Sequence, residues 1–177
     1  LDKAGLHVVV FDPVGVWWGL RAAADGRGPG RAIAILGGDH GDVPLEASSG
    51  EVVADLVVDE RPSLVIDMSH FTEGEQRRFV TAFAERLYLR KASRREPLHL
   101  VLDEADEFSP QRVMSEQARM VGAIQRLVRR GRARGIGVSL ISQRPASISK
   151  DVLTQVESLI VLRMVGHHDI KAIDAWV

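Results

Sequence analysis

The chain has 177 residues, 45% of them apolar and 27% charged, enough for one substantial core of an ordinary globular domain. Its formal net charge is -1, so no global basic character announces a nucleic-acid partner, and the absence of cysteine excludes disulfides and thiolate metal sites. No apolar stretch is long enough to span a bilayer and no signal peptide is visible, so the expectation is a cytoplasmic domain with no membrane association.

Leu6 to Phe11 is an apolar, β-branched stretch that reads as a buried strand, ended by Asp12 and Pro13. Trp17 and Trp18 follow, either as a hydrophobic plug over a strand end or as a stacking surface for a base or a partner protein. Residues 25–31 are rich in Gly and Pro and form a surface turn. Arg31 to Leu36 is a second short strand. The loop Gly37-Gly38-Asp39-His40-Gly41-Asp42 carries no Gly-Lys-Ser/Thr, and a turn explains it better than a phosphate cradle. From Asp39 through Glu60 there are seven acids and no Lys or Arg, a face that disfavours a polyanion.

Ser48 or Ser49 is placed to cap a helix running to about Glu60. Leu64 to Asp67 is a third strand. Thr72 begins the next helix, with Glu75 completing a capping box and Phe79, Phe83 and Leu87 recurring at helical spacing. Five basic side chains between residues 86 and 95 read as a solvated helix end. Leu98 to Leu102 is the fourth strand. A long helix from about Ser115 to Arg130 follows, with Met114, Ala118, Val121, Ile124 and Val128 as its expected apolar stripe. Ile136 to Ile141 is a fifth strand, Lys150 to Gln155 a helix, Ser158 to Leu162 a sixth strand and Asp169 to Val177 a last helix. His167 and His168 fall in the turn before that helix and show no metal-ligand spacing. Strands separated by helical patterns indicate right-handed βαβ units, hence an α/β fold with a mainly parallel sheet of about six strands flanked by helices.

Three features could carry chemistry. Asp103 and Glu104 follow directly on the apolar run Leu98–Leu102, where packing explains acids poorly. The carboxyl edge of a parallel sheet is where open α/β folds place ligands. Phosphoryl transfer needs a carboxylate for Mg²⁺ and a group that orients water, and Asp103 and Glu104 suit those two roles. The structural alternative is a loop cap plus a salt bridge. Gln143, in Gln143-Arg144-Pro145, offers an amide at the same edge that can sense a terminal phosphate or hold water, or simply close a turn. Residues 119–134 contain Arg119, Arg126, Arg129, Arg130, Arg132 and Arg134 and no acid. Arginine suits bidentate capture of phosphate, so Arg129, Arg130, Arg132 and Arg134 are candidates for an arginine finger, a subunit interface or a DNA-backbone contact, against a solvated face.

Taken together, Leu127 to Ile136, Val138 to Pro145 and Asp151 to Arg163 resemble the core of the FtsK/HerA group of P-loop ATPases, with the closer likeness to the HerA branch and its DUF87-type ATP-binding proteins. The acid pair resembles that group's Walker B element, and Gln143 matches its polar sensor. The segment from Val9 to Trp17 resembles the one that follows the Walker A helix, which makes Asp12 a candidate for cofactor binding. The resemblance implies a RecA-like fold, ATP with Mg²⁺ at Asp103, a ring-shaped homo-oligomer, expected to be a hexamer, and double-stranded DNA threaded through its pore. It also implies that one of the arginines after Val128 serves a neighbouring subunit, and it allows for a nuclease partner. The implied activity is ATP hydrolysis coupled to DNA translocation.

The sequence departs from that pattern in two places: it has no Gly-x-x-x-x-Gly-Lys-Ser/Thr loop, and no dense basic pattern marks pore loops, residues 39–60 being strongly acidic. The expectation is a single RecA-like core, residues 1–177, from a longer parent. Its Walker A loop would precede residue 1 and its last helix would continue past residue 177, so residues 1–177 alone would be inactive. A catalytically inactive RecA-like scaffold that binds protein partners is the alternative reading.

Overall fold

Five strands form one all-parallel sheet in the computed structural model, which describes residues 6–164 and 166–174. They are β1 (His7–Asp12), β2 (Ala34–Leu36), β3 (Leu64–Asp67), β4 (Leu98–Leu102) and β5 (Ile136–Leu140), in the order β2-β3-β1-β4-β5. The helices are α1 (Gly50–Asp59), α2 (Glu73–Arg90), α3 (Ala105–Phe108), α4 (Ala118–Arg130), α5 (Lys150–Leu153) and α6 (His167–Asp174), with short 3-10 turns at Trp17–Arg21, Ser115–Gln117, Arg132–Arg134 and Pro145–Ser147.

Period-two alternation divides the sheet into two unequal faces. Val9, Phe11, Leu64, Ile66, Leu100 and Leu102 point to the face covered by α1, α2 and α4, where Phe79, Phe83, Leu87, Ile124 and Leu127 meet them. Phe11 and Phe83 pack edge-on with ring centroids 5.1 Å apart. Val10, Ile35, Val65 and Val101 point to the other face, where Trp17, Leu20 and Ile33 pack on them. Trp17 thus behaves as the plug, while Trp18 stacks on His40 with ring centroids 4.1 Å apart.

The crossover direction explains this division. The steps from β2 to β3, β3 to β4 and β4 to β5 all move one way across the sheet, and right-handed connections put α1, α2 and α4 on one face. The step from β1 to β2 moves the other way, and its connection lies on the opposite face. The β4–β5 half of that face is bordered instead by residues 155–164 and by Asp169 and Ile173 of α6. There an open groove of about 1730 Å³ runs past Val8, His99, Val101 and Ser139 and around the outer edge of β5.

The capping box of α2 forms as its sequence signals: Thr72 Oγ1 accepts from the Glu75 backbone N–H, and the Glu75 carboxylate accepts from the Thr72 N–H at 2.9 Å. The acidic and basic runs largely face each other. Arg86 holds Asp55 through two bonds of 2.8 and 2.9 Å, and Arg90 bridges Asp55 and Asp59. The Arg86 hydrogen bonds, with further attraction from Arg90, hold the Asp55 carboxyl below its usual range.

Four expectations need correction. Ser158–Leu162 is not a strand: it lines the groove without joining the sheet, leaving Ile160 87% and Leu162 82% exposed. Local β propensity cannot form a strand without a neighbouring backbone to pair with. The stripe of α4 differs in part as well. Val121, Ile124 and Val128 pack on the core as expected, but Met114 and Ala118 are exposed and Met120, Ala123 and Leu127 are buried beside them; Met114 lies before a 3-10 turn over Ser115–Gln117 that changes helical phase. The second strand is confined to Ala34–Leu36. His167 and His168 belong to α6 itself rather than to a turn before it, and residues 175–177 lie outside the described residues.

Candidate nucleotide site

Strand register assembles the site. Asp12 on β1 is in register with Asp67 on β3, and Phe11 with Leu102 on β4, so Asp12, Asp67 and Asp103 arrive side by side at the carboxyl edge of three adjacent strands. Their environments differ. Asp12 is fully buried, and its carboxylate accepts backbone N–H bonds from Val14 (3.1 Å), Gly15 (2.7 Å) and Trp17 (2.8 Å), so it is spent on folding its own loop. Gly15 sits at φ 81 in that loop, and a Cβ there would press on Ser69 Oγ at 2.9 Å. Asp67 is buried and accepts from the Ser69 N–H (2.9 Å) and hydroxyl (2.6 Å).

Asp103 and Glu104 are half-buried at the open part of the edge. The Asp103 N–H donates to Phe11 O at 3.1 Å, which continues the β1–β4 ladder. Its Oδ1 accepts from the Glu104 N–H at 3.1 Å, and its Oδ2 accepts from the indole Nε1–H of Trp17 at 2.8 Å. Glu104 takes a left-handed backbone conformation, φ 47 and ψ 53, which costs a non-glycine residue on the order of 1–3 kcal/mol. This turn starts α3 and points the two neighbouring carboxylates in different directions.

Gln143 meets Glu104: its Nε2 donates to Glu104 Oε1 at 3.0 Å. The loops after β4 and β5 are tied at several further points. Ala105 N–H donates to Ile141 O (2.8 Å), Gln111 N–H to Ser147 O (2.7 Å) and Ser149 N–H to Ser109 O (2.8 Å). Asp106 accepts from Ser142 Oγ at 2.7 Å and lies 3.8 Å from Arg144 Nε, so its side chain, only 9% exposed, grips both neighbours of Gln143. In sequence Asp106 is only an acid three residues after Asp103, and that spacing gives no sign that β5 brings Ser142 to it.

The arginines are elsewhere. Leu98 N–H donates to Gly135 O at 2.9 Å, so residues 129–135 lie at the amino edge of the sheet, a strand length of about 16 Å from the acids. Arg134 stacks on the Tyr88 ring at 3.7 Å and donates to Tyr88 O, Arg132 pairs with Glu157, and Arg119 makes a two-bond pair with Glu85. The Arg119 hydrogen bonds lower the Glu85 carboxyl from its usual range. Arg129 and Arg130 are exposed and make no hydrogen bond or ion pair among the described residues.

No group of three or more His, Cys, Asp or Glu capable of holding a metal exists among the described residues. Magnesium commonly takes one or two carboxylates and completes its shell with water and substrate phosphates. Asp103, a hard oxygen donor with a free lone pair on each oxygen after its two hydrogen bonds, fits an ion that arrives with phosphates rather than a resident metal.

No family model matches the sequence. Among curated proteins, the DNA double-strand break repair helicase HerA of Pyrococcus furiosus is 36% identical over 73 residues, which is 41% of this chain and 13% of the relative. Over the matched stretches the chain is similar to HerA-type helicases. HerA of Sulfurisphaera tokodaii is 29% identical over 132 residues, 74% of this chain and 25% of that protein. The chain therefore spans a quarter or less of the length of these HerA proteins. Among solved structures, the genome packaging NTPase B204 of Sulfolobus turreted icosahedral virus 2, in complex with AMPPCP, superposes with a TM-score of 0.62 at 13% identity, covering 100% of this chain and 70% of that one. At that identity the likeness establishes the fold alone, a RecA-like parallel sheet flanked by helices. No helix among the described residues is long and apolar enough to cross a membrane.

Proposed function

We propose that this chain is the RecA-like core of a HerA-type motor that hydrolyses ATP to move double-stranded DNA. The observation that carries the reading is the convergence of Asp103, Glu104 and Gln143 at one sheet edge, with Gln143 3.0 Å from Glu104. In this reading Asp103 holds Mg²⁺, which when bound neutralises phosphate charge. Glu104 orients the attacking water and takes up its proton. Gln143, within reach of Glu104, reports the state of the terminal phosphate to the β5 loop. Asp12 serves by shaping the loop before Trp17 rather than by touching nucleotide.

The open edge of the sheet supports a place for the part that would grip phosphate. β5 has no neighbour on its outer edge among the described residues, and an open groove runs along the β4–β5 half of the second face. A parallel strand added at that edge and leading back to β1 would move in the same direction as the β1-to-β2 step. Its right-handed connection would then lay a helix in the open groove. We assign the Walker A loop to that strand–helix unit, ahead of residue 1 in a longer parent, and the same addition gives Ser158–Leu162 a sheet to join. Because Arg129 and Arg130 lie at the opposite edge with no partner among the described residues, they are the arginines best placed to serve a neighbouring subunit of a ring, which we propose to be a hexamer. Arg132 and Arg134 are held within their own chain.

The test is ATP hydrolysis by the full-length parent with and without duplex DNA. The motor reading expects turnover that rises when DNA is added. Turnover indifferent to DNA would leave a generic nucleotide switch, and no turnover would favour the scaffold, the reading to which the lack of a phosphate loop in residues 1–177 otherwise points.

A further inference from the structure

Among the described residues, the Trp17 indole is the one side chain from outside the β4 segment that hydrogen-bonds Asp103, across 86 positions of sequence. It is not a loose contact. Buried Asp12 fixes the Trp17 backbone through the 2.8 Å bond to its N–H, and the ring packs on the Val10–Val101 side of the sheet. With Oδ2 taken by the indole and Oδ1 by the Glu104 N–H, the Asp103 carboxylate is held from both oxygens, and its plane follows from the position of the Trp17 loop. Partners of this kind orient the groups that hold metals, and their loss commonly weakens metal binding about 10- to 100-fold.

We infer that Trp17 is a positioning residue for Asp103: its indole N–H orients the carboxylate toward the metal–nucleotide complex, so the Asp12–Trp17 loop is part of the site although it touches no phosphate. This rests on the reading of Asp103 as the magnesium carboxylate. A ring that only plugs the sheet predicts something different, because its packing survives removal of the N–H.

The experiment uses the full-length parent with Trp17→Phe, which keeps an aromatic ring and removes the donor. Hydrolysis is titrated with Mg²⁺ at saturating ATP. The Mg²⁺ concentration for half-maximal rate should rise about 10- to 100-fold, with the KM for ATP at saturating Mg²⁺ little changed. A second readout needs no turnover. In protein carrying fluorinated tryptophan, the Trp17 resonance, assigned by its loss in Trp17→Phe, should move on adding Mg²⁺ with a non-hydrolysable ATP analogue. Asp103→Asn should abolish that movement. An unmoved resonance, or an unchanged Mg²⁺ titration in a hydrolysing protein, overturns the inference. If the wild-type protein does not hydrolyse ATP but the resonance moves and Asp103→Asn abolishes the change, the motor reading fails while the Trp17–Asp103 link stands.

Discussion

The two edges of the sheet handle charge in opposite ways. At the carboxyl edge, register gathers Asp12, Asp67 and Asp103 from three strands, and hydrogen bonds fix each carboxylate in a separate task. At the amino edge, the basic run disperses: Arg134 lies on Tyr88, Arg132 on Glu157, and Arg129 and Arg130 make no hydrogen bond or ion pair among the described residues. A run of like charges in sequence therefore says little about a site. A strand end brings residues together that the sequence separates, whereas a helix surface spreads neighbours apart.

The contrast is sharpened first by the free arginines. In the full-length parent, Arg129→Ala or Arg130→Ala should lower turnover about 10³-fold if it removes a finger acting on the next subunit. Mixing either variant with subunits inactivated by Glu104→Gln should recover part of the rate, since each would supply what the other lacks. Arg132→Ala should do neither, and a rate loss as deep at Arg132 would break the division between free and held arginines.

The next largest effect is on the scaffold that sets both edges. Phe83 is fully buried against Phe11, the residue before Asp12. Phe83→Ala should cost about 3–5 kcal/mol of unfolding free energy, read by chemical denaturation. A loss below 1 kcal/mol would mean that the helix-covered face does not hold β1 in register.

Asp106 comes third. Asp106→Ala frees Ser142 and Arg144 and should lower kcat about 10-fold, leaving the KM for ATP nearly constant, because the displaced group is Gln143 rather than a phosphate ligand. A rise in KM alone would place Asp106 in binding instead.

The smallest effect is acid sensitivity. Asp55, Asp42 and Glu85 have folded pKa values below their unfolded ones, owing first to bonds from Arg86, the Ile35 N–H and Arg119 respectively. Their contribution is present above the ordinary carboxylate range and is lost as pH falls through the depressed folded values. Thermal stability should thus decline below about pH 4, and Asp55→Asn should flatten that decline slightly. An identical pH profile in the variant would show that the exposed α1–α2 pairs contribute nothing measurable.

Much of the fold was legible because its signals are local. The Thr72–Glu75 box, the Phe79-Phe83-Leu87 spacing and the apolar run before Asp103 each declare their element within a few residues. The proximity of Gln143 to Glu104 followed from placing two strand ends on one edge. What could not be read depended on partners distant in sequence. Ser158–Leu162 has strand composition but no strand beside it, and the Trp17–Asp103 bond exists only because β1 lies next to β4. The α4 stripe holds at Val121, Ile124 and Val128 and fails at its start, where Met114 precedes a 3-10 turn that shifts helical phase without a strong sequence mark.

The central claim is that the carboxyl edge built by Asp103, Glu104 and Gln143 is a hydrolytic site. The most direct measurement is to compare Glu104→Gln with wild type in the full-length parent, following ATP hydrolysis and ATP binding in the same preparations. The account predicts that hydrolysis falls at least about 10²-fold while binding persists, since the amide can still accept from Gln143 but cannot take a proton from water. An unchanged rate of hydrolysis in that variant would contradict it.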